Sequence, residues 1–347
     1  MDIDLLRELC RIPGAPGFET KIRNFIIETI KNDVDELNID ALGNIIALKK
    51  GASKSKLMFT AHMDEIGFIV QHIDDEGFIR FLPLGGFDPK TLSSQRVIIH
   101  GKSDVIGVLG TKPIHLMTAE ERAKAPIMKD YFIDTGLPKS ELDGLISIGD
   151  PITRERDLIV MGKCINAKSL DNRISVYSII QILKKLKTLP HTCDVYAVFT
   201  VQEEIGLRGA KTISNQINPN FAINIDTTIA FDVPGSHAHE IVTKLGSGVG
   251  IKIMDGSVVS DYRMTAFLKE LANKNNIDWQ AELLPAGGTD TAVVQTGGRG
   301  CICGALSIPT RHIHQVIEMV HIHDVEQVIE LSIVAIQNID HNNWLHL

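Results

Sequence analysis

The sequence predicts an α/β protein: a mixed β-sheet covered by helices, interrupted by a small β-rich insertion. Three observations lead there. Short apolar runs alternate with amphipathic helical segments at both ends of the chain. Strands that alternate with helices favour a parallel or mixed sheet covered on both faces. Between residues 65 and 164 the texture changes to short strand-like pieces with Gly-rich turns between them. Finally, 44% of the 347 residues are apolar and 22% are charged, which suits a large core and excludes bulk disorder.

Taken in order, residues 5–10 and 22–30 have helical spacing around a Gly14–Gly17 loop, and 44–48 and 56–61 read as strands. The pieces 67–72, 78–82, 96–100 and 105–110 form the β-rich stretch, with 118–130 as a loop or short helix. An amphipathic helix opens at Asp171 and runs to Leu186. Strands follow at 194–201, 221–225, 249–253, 279–284 and 301–307, and helices at 206–213, 261–273 and 325–339. The simplest organisation is one α/β domain built from residues 1–64 and 165–347, with residues 65–164 inserted.

Five points in this pattern carry chemistry. His62 and Asp64 follow a strand, Asp171 opens a helix, and Glu203-Glu204, Asp226 and His314 each follow a strand. In an open α/β sheet, ligand sites form beyond the carboxyl ends of strands, so these residues can converge on one rim. Two His with carboxylates form a nitrogen/oxygen set suited to zinc, cobalt or manganese. Two such ions roughly 3.5–4 Å apart can polarise a carbonyl and generate hydroxide at neutral pH. A further carboxylate must then move a proton, and the Glu203-Glu204 pair supplies both a ligand and a base. Each residue also has an ordinary reading: Asp171 as a helix N-cap, Asp226 as the cap of a turn, the two glutamates as a solvated edge. His237, His239, His321, His323, His341 and His346 lie in polar or terminal contexts and are not read as ligands.

At these residues the chain resembles a known family. The strings AHMDEIGF (61–68), SLDNR (169–173), QEEIGLRGA (202–210), NIDTT (224–228), GGTD (287–290) and SIPTRHIH (307–314) are similar to those of the TET-type, or glutamyl-type, aminopeptidases. These are cytosolic metallopeptidases with two metal ions. The insertion resembles the family's PDZ-like dimerisation domain in GGFDPKTLSSQRV (85–97), KPIHLMTAEERAK (112–124) and YFIDTG (131–136). The resemblance implies a zinc-aminopeptidase-like catalytic domain that removes N-terminal residues from short peptides. It implies two divalent metal ions per subunit, zinc or cobalt, with manganese as the further option. His62 and Asp226 would hold one ion, Glu204 and His314 the other, and Asp171 would bridge them. Glu203 would be the general base, and Asp64 would orient the His62 ring. His312 is not read as a ligand, and Asp290, in the GGTD string that would shape the substrate pocket, reads as a turn or cap residue. The alternatives are a related deacylase or carboxypeptidase, and a glycan hydrolase, which usually needs two opposed carboxylates and no metal.

Partners follow from charge and family. Lys plus Arg is 35 against 43 for Asp plus Glu, a net charge of −8, and no basic block occurs. Neither a nucleic acid nor a membrane is expected. Family likeness implies a homo-oligomer, a dodecamer built from dimers, with residues 85–87 and 114–117 either at contacts or in internal packing. The N-terminal residues carry Asp2 and Asp4 and no apolar signal segment. With five cysteines, an odd number, this points to reduced thiols in the cytoplasm. Cys301 and Cys303 read as core residues of a strand.

Overall fold

The computed structural model describes residues 1–346. The chain opens with helices α1 (Ile3–Arg11) and α2 (Thr20–Ile30) and strands β1 (Glu36–Ile39), β2 (Ile45–Lys49) and β3 (Lys56–His62). It then enters β4 (Gly67–Ile73), β5 (Ile79–Leu84), β6 (Arg96–His100), β7 (Asp104–Gly110), α3 (Ala119–Ala123), β8 (Phe132–Asp134), α4 (Lys139–Leu142) and β9 (Pro151–Glu155). It returns through β10 (Ile159–Met161), β11 (Cys164–Ala167), α5 (Leu170–Leu186), β12 (Asp194–Thr200), α6 (Arg208–Ile217) and β13 (Phe221–Ile229). Last come β14 (Val249–Met254), α7 (Tyr262–Lys274), β15 (Trp279–Leu283), α8 (Thr291–Thr296), β16 (Ile302–Arg311), β17 (Glu318–His321) and α9 (Ile322–Asn338).

The large sheet runs β1-β2-β12-β3-β13-β16-β17-β11-β10, with β14 on β16 and β15 on β14. Its centre, β12-β3-β13-β16, is parallel; β2 and β17 flank it antiparallel, so the sheet is mixed, as expected. The central strands are apolar on both faces because helices cover both. Leu57, Phe59 and Ala61 of β3 enter the main core with α1, α2, α5, α7 and α9, whereas Met58 joins Val198, Ala222, Ile213 and Cys303 beneath α6 and α8. The period-two alternation of a strand thus feeds two cores, and each fully buried Leu or Ile contributes about 1.5–3 kcal/mol. Cys303 is buried there and all five cysteines are free.

Strands β4 to β9 close into a separate antiparallel barrel, ordered β4-β5-β8-β7-β6-β9. Its own core holds Phe68, Phe81, Val97, Ile99, Leu109, Ile133 and Ile152. The closure rests on Phe68 facing Ile152, a pairing between the first and last strands. β10, within the range 65–164, belongs to the edge of the large sheet. Of the segments read as contacts or internal packing, 85–87 has Phe87 stacked on Phe68 at 4.5 Å and Gly86 exposed. Ile114 and Leu116 are exposed. Among the described residues no helix is long and apolar enough to cross a membrane.

Candidate active site

Parallel register brings the carboxyl ends of the central strands together. Thr200, the last residue of β12, lies beside His62, the last of β3. Glu203 and Glu204 follow β12, Asp226 stands near the end of β13, and His314 follows β16. Asp171 reaches the same rim from the start of α5. Its role as a helix N-cap is not found: among the described residues its side chain accepts from no helix N–H, its oxygens face His62 and His314, and the regular helix begins only after Asn172. Its N–H is donated to Glu318 Oε2 at 2.9 Å instead.

The side chains converge within a few ångströms. His62 Nε2 lies 3.1 Å from Asp171 Oδ1 and 3.7 Å from Asp226 Oδ1. His314 Nε2 lies 3.3 Å from Asp171 Oδ2 and 3.4 Å from Glu204 Oε2. Asp171 therefore turns one oxygen to each histidine. His62, Glu203 and Asp226 form one group with mutually close ligand atoms, and His62, Asp171 and Glu204 form another. They line a cavity of about 490 Å³, whose further wall holds Ile229, Lys252, Asp255, Leu284, Thr289 and Ile313.

The residues fit divalent cations. Four buried or half-buried carboxylates crowd two imidazoles, and Glu204 Oε1 is buried with no hydrogen-bond partner among the described residues. Burial raises the Asp226 carboxyl to about 7 and pushes Glu203 well above the usual range. Burial works against a charged His314, but Glu204 and Asp171 outweigh it and raise the imidazole to about 11. Such a donor set favours added positive charge, which a histidine proton supplies only in part.

The surrounding backbone is under strain. Gln202 (φ 55°), just before the glutamates, and His314 (φ 61°) occupy the left-handed region, at a cost of about 1–3 kcal/mol each. Local partners hold them there. Gln202 N–H is donated to Glu19 Oε1 at 3.1 Å, and His314 N–H to Glu318 Oε1 at 2.9 Å. Asp64 accepts the N–H groups of Glu203 and Glu204, and its Oδ1 lies 3.4 Å from His62 Nδ1. Asp290 occupies the N-cap position of α8 but its side chain caps nothing; it accepts from Thr200 Oγ1 at 2.6 Å.

Several residues here escaped sequence reasoning. Glu318, Arg154 and Lys252 are buried charges near the site, and Lys252 Nζ sits 2.6 Å from Glu282 Oε1 and 3.4 Å from Asp255 Oδ2. For two of them a signal existed: Glu318 and Lys252 are each a lone charge inside an apolar strand pattern, VIEMV and GIKIM, whereas Arg154 stands in the charged run PITRERD. A charge at such a position must be paired or functional.

The sequence pattern of the M42 glutamyl aminopeptidases matches residues 43–331. The chain belongs to the M42 aminopeptidase family. Like its family, this M42 protein is a hydrolase acting on peptide bonds, an aminopeptidase. It is 39% identical to a putative aminopeptidase of Acetivibrio thermocellus, over 96% of this chain and 98% of that one. Its structure superposes on an aminopeptidase of the archaeon Desulfurococcus kamchatkensis with a TM-score of 0.93, at 36% identity, covering 97% of this chain and 94% of that one. It also matches a TET1 peptidase of Pyrococcus horikoshii, which can assemble into a tetrahedron or a large octahedral shell (TM-score 0.87, 33% identity, coverage 96% and 98%). The deacylase, carboxypeptidase and glycan-hydrolase alternatives are not favoured by these matches.

Proposed function

We propose that this M42 aminopeptidase works with two divalent metal ions per chain, zinc or cobalt, with manganese as the further option. The observation that carries the reading is Asp171, whose two oxygens face His62 and His314 separately. His62 and Asp226 would hold one ion, Glu204 and His314 the other, with Asp171 between them. When bound, such a pair supplies Lewis-acid polarisation of the scissile carbonyl and activation of a water.

The chain's own residues do the rest. Glu203 takes a proton from the attacking water as its oxygen bonds to the carbonyl carbon. It then gives that proton to the departing amine nitrogen as the C–N bond breaks. Burial is the first cause that raises its pKa, followed by its acidic neighbours Glu204, Asp226 and Asp290 against the opposing His62. Asp64 fixes the two glutamates by their backbone and the His62 ring by its Nδ1 side. The carboxylate-lined cavity welcomes the free α-ammonium of a short peptide, which explains removal of residues from the N-terminus. Hydrolysis of aminoacyl p-nitroanilides, with their N-acetyl counterparts left intact and chelator-stripped enzyme restored by added metal, tests this reading. Equal cleavage of acetylated substrates would sink it.

We further infer a catalytic domain of residues 1–64 and 165–347, to which β10 of the range 65–164 adds an edge strand, and a dimerisation role for the barrel of that range, the segment likened to a PDZ-like domain. Exposed apolar Ile106, Val108, Ile114 and Leu116 on this insertion support the role, as does the assembly of the P. horikoshii relative. The expected form is a dodecamer of isologous dimers in the cytoplasm. A monomer in sedimentation at micromolar concentration would exclude it.

A further inference from the structure

Glu318 is buried in β17, between Ile317 and Met319. Its Oε2 accepts the N–H of Asp171 and its Oε1 the N–H of His314, each at 2.9 Å. One carboxylate thus grips the backbone of two residues whose side chains meet at 3.3 Å. His314 is held from its other side as well: Arg154 Nη1 donates to the His314 carbonyl at 3.0 Å.

Arg154 comes from β9, a strand of the barrel. Its side chain is 1% exposed, and its guanidinium carbon lies 5.5 Å from the ring centroid of Phe87. Its Nε and Nη2 have no hydrogen-bond partner among the described residues. A buried guanidinium with unmade hydrogen bonds is destabilising unless nearby charge compensates it. Burial is the larger effect and lowers the Arg154 pKa, while Glu318, Glu65, Glu204 and Asp171 offset part of it. His314 itself has left-handed backbone, a conformation that persists only when its surroundings over-determine it. With its N–H on Glu318 and its C=O on Arg154, it cannot relax. By contrast, the backbones of His62 and Asp226 are held by the ladders of the central parallel strands.

We propose that Glu318 and Arg154 are positioning residues for the His314 side of the metal centre, and that through Arg154 the barrel completes that side. The inference rests on the ligand assignment proposed above. It gives the insertion a duty within the site in addition to any role in assembly. Residues that orient metal ligands from outside typically change affinity by about 10–100-fold when replaced.

The test is titration of full-length, metal-free protein with Co²⁺, followed by calorimetry and by the visible absorption of the bound ion. Wild type should bind two ions, and His314→Ala should identify which step belongs to the His314 side. Arg154→Met should weaken that step by about 10–100-fold and leave the other within about twofold, whereas Glu318→Gln, which also frees the N–H of the shared Asp171, should weaken that step by about 10–100-fold and the other by less. In Glu318→Gln an amide NH₂ would confront one of the two backbone N–H groups. Arg154→Lys retains a charge and a donor but not the planar fork, so it should fall between wild type and Arg154→Met. Phe87→Leu removes only the ring beneath the guanidinium and should shift the same step in the same direction. Because those two variants are conservative, the result stands even if Arg154→Met does not fold. Unchanged affinities in all variants, or equal weakening of both steps, would overturn the proposal. Wild-type protein binding fewer than two ions, or two ions retained by His314→Ala, would instead overturn the ligand assignment and this inference with it.

Discussion

The carboxylate of Asp64 spans the backbone of two adjacent glutamates: Oδ1 accepts the N–H of Glu203 at 3.0 Å and Oδ2 the N–H of Glu204 at 3.1 Å. The same Oδ1 lies 3.4 Å from His62 Nδ1. One fully buried side chain therefore sets the strand β3 and strand β12 halves of the site against each other. Asp64→Asn retains the shape but offers a donor where two N–H groups need acceptors. It should lower metal affinity by about 10–100-fold and lower kcat as well, because Glu203 loses its anchor. Calorimetric metal titration with steady-state kinetics checks both. A variant with full metal affinity and normal kcat would show that Asp64 only fills space.

His314 lies 3.3 Å and 3.4 Å from single oxygens of Asp171 and Glu204, whereas His62 serves the Asp226 side. Replacing His314 by Ala should lower the metal content toward one ion per chain and remove most activity. Elemental analysis of the dialysed variant decides it, and two ions retained per chain would contradict the assignment.

Much of this arrangement was legible in the sequence, for a physical reason. Residues at the carboxyl ends of parallel strands gather on one rim, so His62, Glu203, Glu204, Asp226 and His314 meet though far apart in sequence; Asp226, read as following its strand, lies inside β13, which runs on to Ile229. The break before α5 was not legible. The periodicity from Asp171 onward is helical, and nothing in it reveals Ser169 at φ 59° or the extended Asp171. The closure of the barrel depends on Phe68 meeting Ile152, a long-range pairing that alternation does not encode. Arg154 and Glu318 are meaningful only once the barrel and β17 are docked together. Glu318, alone among apolar neighbours, could be noticed in sequence without its partners being named, whereas Arg154 does not stand out beside Glu155, Arg156 and Asp157.

Glu19 carries a pH-dependent prediction. It is buried, accepts from Gly17 N–H and Gln202 N–H, and is raised to about 7 by burial and then by Asp64. The folded state thus binds this proton more tightly than the unfolded chain, whose carboxyl titrates near the ordinary 4.5. The Glu19 contribution to stability is greatest at low pH and declines as pH rises from about 4.5 through 7. Glu19→Gln keeps an acceptor and removes the charge. Relative to wild type it should match most closely below pH 4.5, and gain stability as pH rises to 8, by at most about 3 kcal/mol. Denaturant melts at both ends of that range measure the difference. A gap that is constant with pH, or that widens toward acid, would show that Glu19 remains ionised throughout.

The adjacent glutamates allow binding to be separated from chemistry. Glu203 groups with His62 and Asp226, whereas Glu204 Oε2 faces His314, so two neighbours on one loop are given opposite duties. Glu203→Gln keeps size and hydrogen bonding but cannot accept a proton. It should leave both ions bound and KM nearly unchanged, while kcat falls by about 10²–10⁴-fold, the usual worth of general acid–base catalysis. Glu204→Gln removes a charged ligand. It should weaken the ion on the His314 side, and activity should recover in part at high metal concentration. Metal titrations and kinetics on both variants, run side by side, distinguish the duties. Rescue of the Glu203 variant by metal, with none for the Glu204 variant, would exchange the two roles. Full activity in both would move the proton-transfer step away from this loop altogether, and with it the reason for Asp64 to hold both backbones at once.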